Sequence, residues 1–139
     1  MISVRSSMRA GFSVMELMIY TLIVGILLAG AATMLTGALD KSKKSSTESS
    51  LRAIQQGIDL YYGEVGRYPE SLEDLMVRPE GAQGWDGPYV KVKGDQVPKD
   101  GWKHDFQYQR TPGAAHPYEL YSFGKNGEDA PQEEWLNAW

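Results

Sequence analysis

The sequence predicts an α+β protein in which one long N-terminal α-helix, membrane-spanning in its first half, packs on a small antiparallel β-sheet head. Three observations support this fold class. Residues 17–39 are mostly apolar and uncharged, residues 51–65 show helical periodicity, and three later segments are rich in β-forming residues. With 139 residues, the chain has room for one membrane segment and one domain of about a hundred residues.

The apolar run over residues 17–39 carries no formally charged side chain. As a helix it would extend about 35 Å, which is enough to cross a bilayer core of roughly 30 Å. The apolar region of a secretory signal peptide is shorter, about 7–15 residues, and ends in a small-residue cleavage site. Ala29-Gly30-Ala31-Ala32 has the composition of such a site. We therefore expect a membrane-spanning helix, with a cleaved signal peptide as the alternative.

One carboxylate, Glu16, stands directly before this run. A charge at membrane depth costs several kcal/mol, so an intramembrane glutamate indicates a functional site with a cationic partner. Cleavage between Gly11 and Phe12 would create an α-amino group about one helical turn from Glu16. The alternative is that Glu16 reaches the cytoplasmic headgroups from its place near the end of the span.

The charges are distributed unevenly along the chain. Residues 1–39 have one net positive charge, whereas residues 40–139 hold 12 basic and 17 acidic side chains. The acidic head argues against a large nucleic-acid surface, and no nucleic-acid partner is expected. Basic residues flank the apolar run on both sides, so the positive-inside rule leaves its orientation open.

Cysteine is absent, so a head outside the cytoplasm would need stabilisation by its core, a metal or assembly.

Residues 40–50 form a polar segment, of which the serine-rich residues 42–50 are expected to form the exposed middle of the long helix. Beyond it, apolar residues recur at three- and four-residue steps, which is typical of an amphipathic helix whose apolar face needs a covering layer. These residues are Leu51, Ile54, Ile58, Tyr61, Tyr62 and Val65. Gly66 is predicted to end the helix, and residues 69–76 to form a short second helix with Pro69 in its first turn.

Turn signals containing Gly, Pro and Asp divide the rest of the chain into three predicted strands, residues 89–93, 106–110 and 118–123. Most aromatic residues fall on these strands or on the helix face, where packing in the head core is the first explanation. Trp85, Trp135 and Trp139 lie in turns or in the tail, and either local packing or subunit contacts would explain them.

Residues 9–17, Arg-Ala-Gly-Phe-Ser-Val-Met-Glu-Leu, resemble the prepilin cleavage motif of type IV pilins and pseudopilins. The resemblance implies a leader peptide over residues 1–11, cleaved after Gly11 by a prepilin peptidase, and N-methylation of Phe12. It also implies a transmembrane and assembly helix over residues 12–39 and a periplasmic head over residues 40–139. In such a filament the Phe12 ammonium would pair with Glu16 of the same or a neighbouring subunit, which removes the cost of an isolated charge.

The head motifs are similar, in order, to those of the major pseudopilins of type II secretion systems. They include Tyr68-Pro69, Gly87-Pro88-Tyr89-Val90, Val97-Pro98-Lys99-Asp100-Gly101-Trp102 and Leu136-Asn137-Ala138-Trp139. Where that family usually has Asp-Pro-Trp-Gly, this chain has Asp100-Gly101-Trp102-Lys103. The similarity is therefore to a divergent member.

This resemblance implies a structural subunit of a pseudopilus that is anchored in the bacterial inner membrane and drives protein export. Its implied partners are further copies of the chain, minor pseudopilins, the inner-membrane assembly platform and the prepilin peptidase. Two alternatives stay open: a pilin or minor pseudopilin of a type IV pilus or DNA-uptake filament, and a membrane-anchored calcium-binding module that does not polymerise. No enzyme is expected, because His104 and His116 accompany neither a nucleophile signature nor a zinc-binding spacing.

In that family the loop after the last strand binds calcium, which takes six to eight oxygen ligands. The ligands that the resemblance implies here are the carbonyl of Leu120 and the side chains of Ser122, Asn126, Glu128 and Asp129. The loop is shorter than is usual in the family, and Asn126 stands where an aspartate is common. The alternative is an acidic, solvated tail, which Glu133 and Glu134 continue.

Overall fold

Residues 11–91 and 96–139 are described by a computed structural model of the chain, apart from the side chains of residues 32 and 33. Residues 1–10 of the predicted leader lie outside this description. The elements are the α-helix α1 (Val14–Val65), a 3₁₀ helix (Leu72–Leu75), strands β1 (Gln107–Arg110) and β2 (Tyr118–Ser122), 3₁₀ helices at Gly124–Asp129 and Gln132–Glu134, and strand β3 (Leu136–Asn137). The long helix and the three-stranded antiparallel sheet confirm the predicted α+β class.

The chain divides into two units, one ending at Ala38 and one from Leu39 to Trp139. Within the described part of the first unit, the large apolar side chains are exposed, from 48% at Ile23 to 80% at Met34. Of the helices in the described part of the chain, α1 is the one long and apolar enough to cross a membrane. Exposed apolar side chains of this density need a lipid or protein cover.

In the second unit, one face of α1 enters the core of the head. Its residues recur at the predicted helical spacing and are at most 2% exposed: Leu51, Ile54, Ile58 and Tyr61. Burying each of them stabilises the fold by roughly 2 kcal/mol. Tyr62, predicted on the same face, is instead 45% exposed and stacks on Tyr68. Helix α1 ends as predicted at Gly66, whose positive φ of 77° suits the left-handed cap of a helix.

Residues 42–50 are largely exposed, as predicted, and Thr47 is the exception. The segment is helical, and Thr47 is fully buried. Its hydroxyl donates to the carbonyl of Lys43 at 2.9 Å and accepts the backbone N–H of Gly101 at 2.8 Å. Gly101 lies so close to the helix that a Cβ on it would be 2.3 Å from the Lys43 carbonyl oxygen. A loop distant in sequence therefore covers this part of the helix.

The second and third predicted strands correspond to β1 and β2, which pair antiparallel from Gln107 with Tyr121 to Arg110 with Tyr118. Strand β2 also pairs with β3, Leu136–Asn137, which the sequence reasoning missed. The sheet order is therefore β1-β2-β3.

The predicted first strand is wrong over residues 89–91, while residues 92 and 93 lie outside the description. Tyr89 donates its N–H to the carbonyl of Leu75 at 2.8 Å, so it does not join the sheet. Val90 is buried against α1, where a Cβ on Gly57 would lie 2.7 Å from Val90 Cγ2. Val90 serves here to pack an irregular segment on a helix.

The predicted helix over residues 69–76 is shorter than expected, covering only the 3₁₀ turn Leu72–Leu75. The carboxylate of Asp74 folds back and accepts the N–H groups of Glu70 at 2.8 Å and Ser71 at 3.4 Å. These bonds satisfy the backbone before the turn without extending it. Leu72 and Leu75 are buried in the head core.

Candidate functional site

The residues predicted for function lie in two places, each in its own unit of the chain. Gly11, Phe12 and Glu16 belong to the first unit and are called here the assembly segment. The residues predicted to bind calcium lie in β2 and in the loop that follows it, in the second unit.

The bond between Gly11 and Phe12 lies in non-helical backbone, because α1 begins only at Val14. Both residues are exposed, and nothing lies within 4 Å of the position that a Cβ on Gly11 would occupy. An extended, exposed backbone is the form in which a peptidase can reach a bond. The geometry of this segment is therefore compatible with cleavage.

Glu16 lies in the first turn of α1, where the helix dipole favours a negative charge. The hydroxyl of Tyr20, one turn further on, donates to Glu16 Oε1 at 3.0 Å. The Tyr20 ring also meets the ring of Phe12 edge-on, with centroids 6.2 Å apart and planes at 77°. The structure thus gathers Phe12, Glu16 and Tyr20. Sequence reasoning missed Tyr20, although its place four residues after Glu16 was a usable signal.

The residues predicted to bind calcium have other partners in the described structure. The Leu120 carbonyl accepts the N–H of Ala138 at 3.0 Å. The Ser122 hydroxyl, fully buried, donates to Asp100 Oδ2 at 2.6 Å and accepts the N–H of Gly124 at 3.0 Å. Leu120 and Ser122, the two β2 residues predicted to bind calcium, therefore form hydrogen bonds within the head.

The loop positions of the predicted set are exposed. The Asn126 amide donates to Glu134 Oε2 at 2.7 Å, while Glu128 and Asp129 are exposed. Within residues 11–91 and 96–139, no group of three or more His, Cys, Asp or Glu side chains is placed to hold a metal ion. Calcium takes six to eight oxygens, so binding here would need Leu120, Ser122 and Asn126 to exchange or share their present partners, and calcium binding stays a prediction.

Asp100, which sequence reasoning did not select, is the centre of a buried polar cluster. Its Oδ1 accepts the N–H groups of Trp102 at 2.9 Å and His104 at 2.8 Å, and its Oδ2 accepts the Ser122 hydroxyl. The imidazole Nδ1 of His104 lies 3.0 Å from the Gly124 carbonyl oxygen and 3.6 Å from Asp100 Oδ2. One carboxylate thus ties the turn at residues 100–104 to β2 and the loop after it.

An ion pair joins the same loop to α1. Lys125 Nζ lies 2.5 Å from Asp40 Oδ2, and this hydrogen bond holds the pKa of the Asp40 carboxyl below its ordinary value. Both side chains are exposed, so solvent screens the pair and it adds little to stability.

His116 and the tail tryptophans make local ring contacts. Trp135 stacks on Tyr121 with ring centroids 4.7 Å apart, and Trp139 stacks on His116 at 4.5 Å. Trp85 donates its indole N–H to the Asp74 carbonyl at 2.9 Å. Local packing therefore accounts for Trp85 and Trp135, whereas Trp139 remains 51% exposed.

Comparison with known proteins gives consistent similarities. Residues 34–137 match the family model for the type II secretion system protein G. The type II secretion system core protein G of Xanthomonas campestris pv. campestris is 31% identical over 119 residues, which cover 86% of this chain and 80% of that protein. The core protein G of Pseudomonas aeruginosa is 31% identical over 129 residues, 87% of each chain.

Among solved structures, the crystal structure of the major pseudopilin from the type 2 secretion system of enterohaemorrhagic Escherichia coli is similar in fold. The TM-score is 0.56 at 25% sequence identity, and the match covers 74% of this chain and 91% of that one.

Proposed function

Because this chain belongs to the type II secretion system protein G family, we propose that it polymerises through α1 into a pseudopilus that is anchored in the bacterial inner membrane. Its role in type II secretion is structural, that of a pseudopilus subunit. The observation that carries the assembly proposal is the assembly segment: an exposed bond between Gly11 and Phe12, followed by Glu16 at the start of an exposed apolar helix.

The first step is processing of the leader by a prepilin peptidase. Cleavage after Gly11 converts the backbone nitrogen of Phe12 from an amide into an ammonium, which is then N-methylated. The non-helical, exposed backbone at residues 11–13 supports access to this bond. The product is a helix with a cation at its N-terminus and a carboxylate one turn further on.

The second step is pairing of charges between subunits. In lipid, an unpaired Glu16 costs several kcal/mol, whereas a cation at the same depth offsets most of this cost. A neighbour that enters the filament in register brings its Phe12 ammonium to this carboxylate. A neighbour out of register leaves both charges unpaired, so the pair selects the register.

The exposed apolar side chains of α1 supply the remaining contacts. Before assembly they face lipid tails, and in the filament they pack on the helices of other copies. The further partners proposed are minor pseudopilins, the inner-membrane assembly platform and the prepilin peptidase, with residues 40–139 in the periplasm.

Replacement of Glu16 by glutamine tests this function, with Glu80→Gln, an exposed turn residue, as the matched control. The measurements are membrane insertion, leader cleavage, the fraction of subunits in sheared filaments and export of a type II substrate. We expect Glu16→Gln to insert and be cleaved but to lose assembly and export, while Glu80→Gln behaves as wild type. Normal assembly of Glu16→Gln would overturn the proposal.

A further inference from the structure

We propose that Tyr20 is a positioning residue for Glu16: its hydroxyl holds one oxygen of the carboxylate and leaves the other for an incoming ammonium. The inference rests on the proposed function, because it concerns the same carboxylate. It adds a residue to which no role in assembly has been assigned above.

The first observation is the geometry of the pair. Side chains of an α-helix point towards its N-terminus, so a long residue at position i+4 lies over residue i. Tyr20 follows this rule and places its hydroxyl 3.0 Å from Glu16 Oε1. The hydroxyl of Thr21, the residue after Tyr20, donates to the Met18 carbonyl at 2.9 Å and is committed to the backbone.

The second observation is burial. Glu16 is partly buried, whereas every other residue from 11 to 31 is exposed. Tyr20 contacts the carboxylate through its hydrogen bond, and the ring of Tyr20 in turn makes an edge-on contact with Phe12. The described side chain bonded to Glu16 therefore lies beside the one partly buried residue of an otherwise exposed segment.

The third step is the chemistry of a carboxylate, which has two oxygens and about four acceptor positions. Among the described residues, Tyr20 is the one that donates a hydrogen bond to the Glu16 side chain. This bond occupies Oε1. A hydroxyl is a neutral donor, so it reduces the cost of desolvation without cancelling the charge. Glu16 therefore keeps its attraction for a cation while its side chain is held in one orientation.

Holding that orientation has a direct consequence for assembly. A free glutamate side chain samples several rotamers, and pairing would have to restrict them. With Tyr20 in place, the carboxylate is already fixed near Phe12 when a neighbour arrives. Replacing Tyr20 by phenylalanine keeps the ring and its contact with Phe12 but removes the hydroxyl.

The test compares Tyr20→Phe with Thr21→Val, which removes a hydroxyl from the adjacent position. Insertion and cleavage are measured first, and then the fraction of subunits in sheared filaments. We expect Tyr20→Phe to insert and be cleaved normally but to assemble about tenfold less, in line with loss of one hydrogen bond to a charged group. Thr21→Val should assemble as wild type.

A spectroscopic readout separates positioning from packing. The mature chain is labelled with ¹³C-glutamate in detergent micelles, and Glu16→Gln identifies the Glu16 carboxylate resonance. Tyr20→Phe should shift this resonance, and Thr21→Val should leave it in place. Normal assembly of Tyr20→Phe, or reduced assembly with an unshifted resonance, would overturn the inference. Normal assembly of Glu16→Gln would instead overturn the proposed function.

Discussion

The hydroxyl of Ser122 donates a 2.6 Å hydrogen bond to the carboxylate of Asp100, and both side chains are buried in the head. The other carboxylate oxygen accepts two backbone N–H groups of the same turn. Buried polar groups are stable only when they are paired, so this carboxylate depends on its donors. The junction between the turn at residues 100–104 and β2 is therefore held by a polar cluster.

Ser122→Ala is expected to reduce the free energy of unfolding by about 1–3 kcal/mol, because it leaves Asp100 Oδ2 buried without its hydroxyl donor. Urea unfolding of the mature chain in detergent micelles measures the change. Ser49→Ala, on an exposed position of α1, is the matched control and should have little effect. Equal stability of the two variants would contradict the role assigned to this bond.

The calcium site that the sequence resemblance implies is expected to raise the melting temperature of the mature chain when calcium is added. Binding would require the Leu120 carbonyl, the Ser122 hydroxyl and the Asn126 amide to exchange or share their present protein partners, and a melting temperature that neither calcium nor a chelator changes would contradict the site. Thermal unfolding with added calcium, and with a chelator, measures this. A rise in melting temperature with calcium that Asp129→Asn abolishes would establish the calcium site that the sequence resemblance implied.

Thr47→Val is expected to destabilise the head by about 1–3 kcal/mol, because the Gly101 N–H would then be buried beside α1 without an acceptor. Thr47→Ser keeps the hydroxyl and should lose less. Chemical unfolding of both variants gives the comparison. A valine variant as stable as the serine variant would show that the hydroxyl is not needed at this contact.

Alkaline pH is expected to destabilise the head. Burial raises the pKa of the phenols of Tyr108 and Tyr118 above the ordinary value. A raised pKa in the folded state contributes stability that is complete below the unfolded pKa of about 10, and this stability is lost as the pH rises through the folded-state pKa. The free energy of unfolding should therefore fall above about pH 10.

Tyr108→Phe tests the source of that pH dependence. The variant loses the hydrogen bond from the Tyr108 hydroxyl to the Pro69 carbonyl, 2.7 Å long, and should be about 1 kcal/mol less stable at neutral pH. Its stability should then decline less steeply in alkali than that of wild type. Tyr62→Phe, at an exposed ring, is the control, and identical slopes for both variants would contradict this explanation.

The parts of the fold that depend on local pattern were predictable from the sequence. The helical spacing of Leu51, Ile54 and Ile58 predicts their burial, and Gly66 predicts the end of α1. The alternating residues around Tyr89 and Val90 led to a wrong prediction of a strand, because the same pattern also occurs in an irregular segment that packs on a helix. Local pattern cannot separate these cases, since the difference lies in which partner the backbone meets.

The parts that depend on contacts distant in sequence could not be predicted. Thr47 is buried only because Gly101 lies against the helix, and Asp100 becomes central only when β2 brings Ser122 to it. In the assembly segment, Glu16 was identifiable as a charge beside an apolar run. The hydrogen bond from Tyr20 to Glu16 could be recognised only from the helix geometry, although the four-residue spacing is visible in the sequence.

Mass spectrometry of the mature N-terminus, on protein isolated from membranes, tests most directly the claim that cleavage creates the assembly segment. We expect a chain that begins at Phe12 and carries one N-methyl group. A chain that begins after Ala32, as a signal peptidase would leave it, would lack both Phe12 and Glu16 and would rule out assembly through this pair of residues.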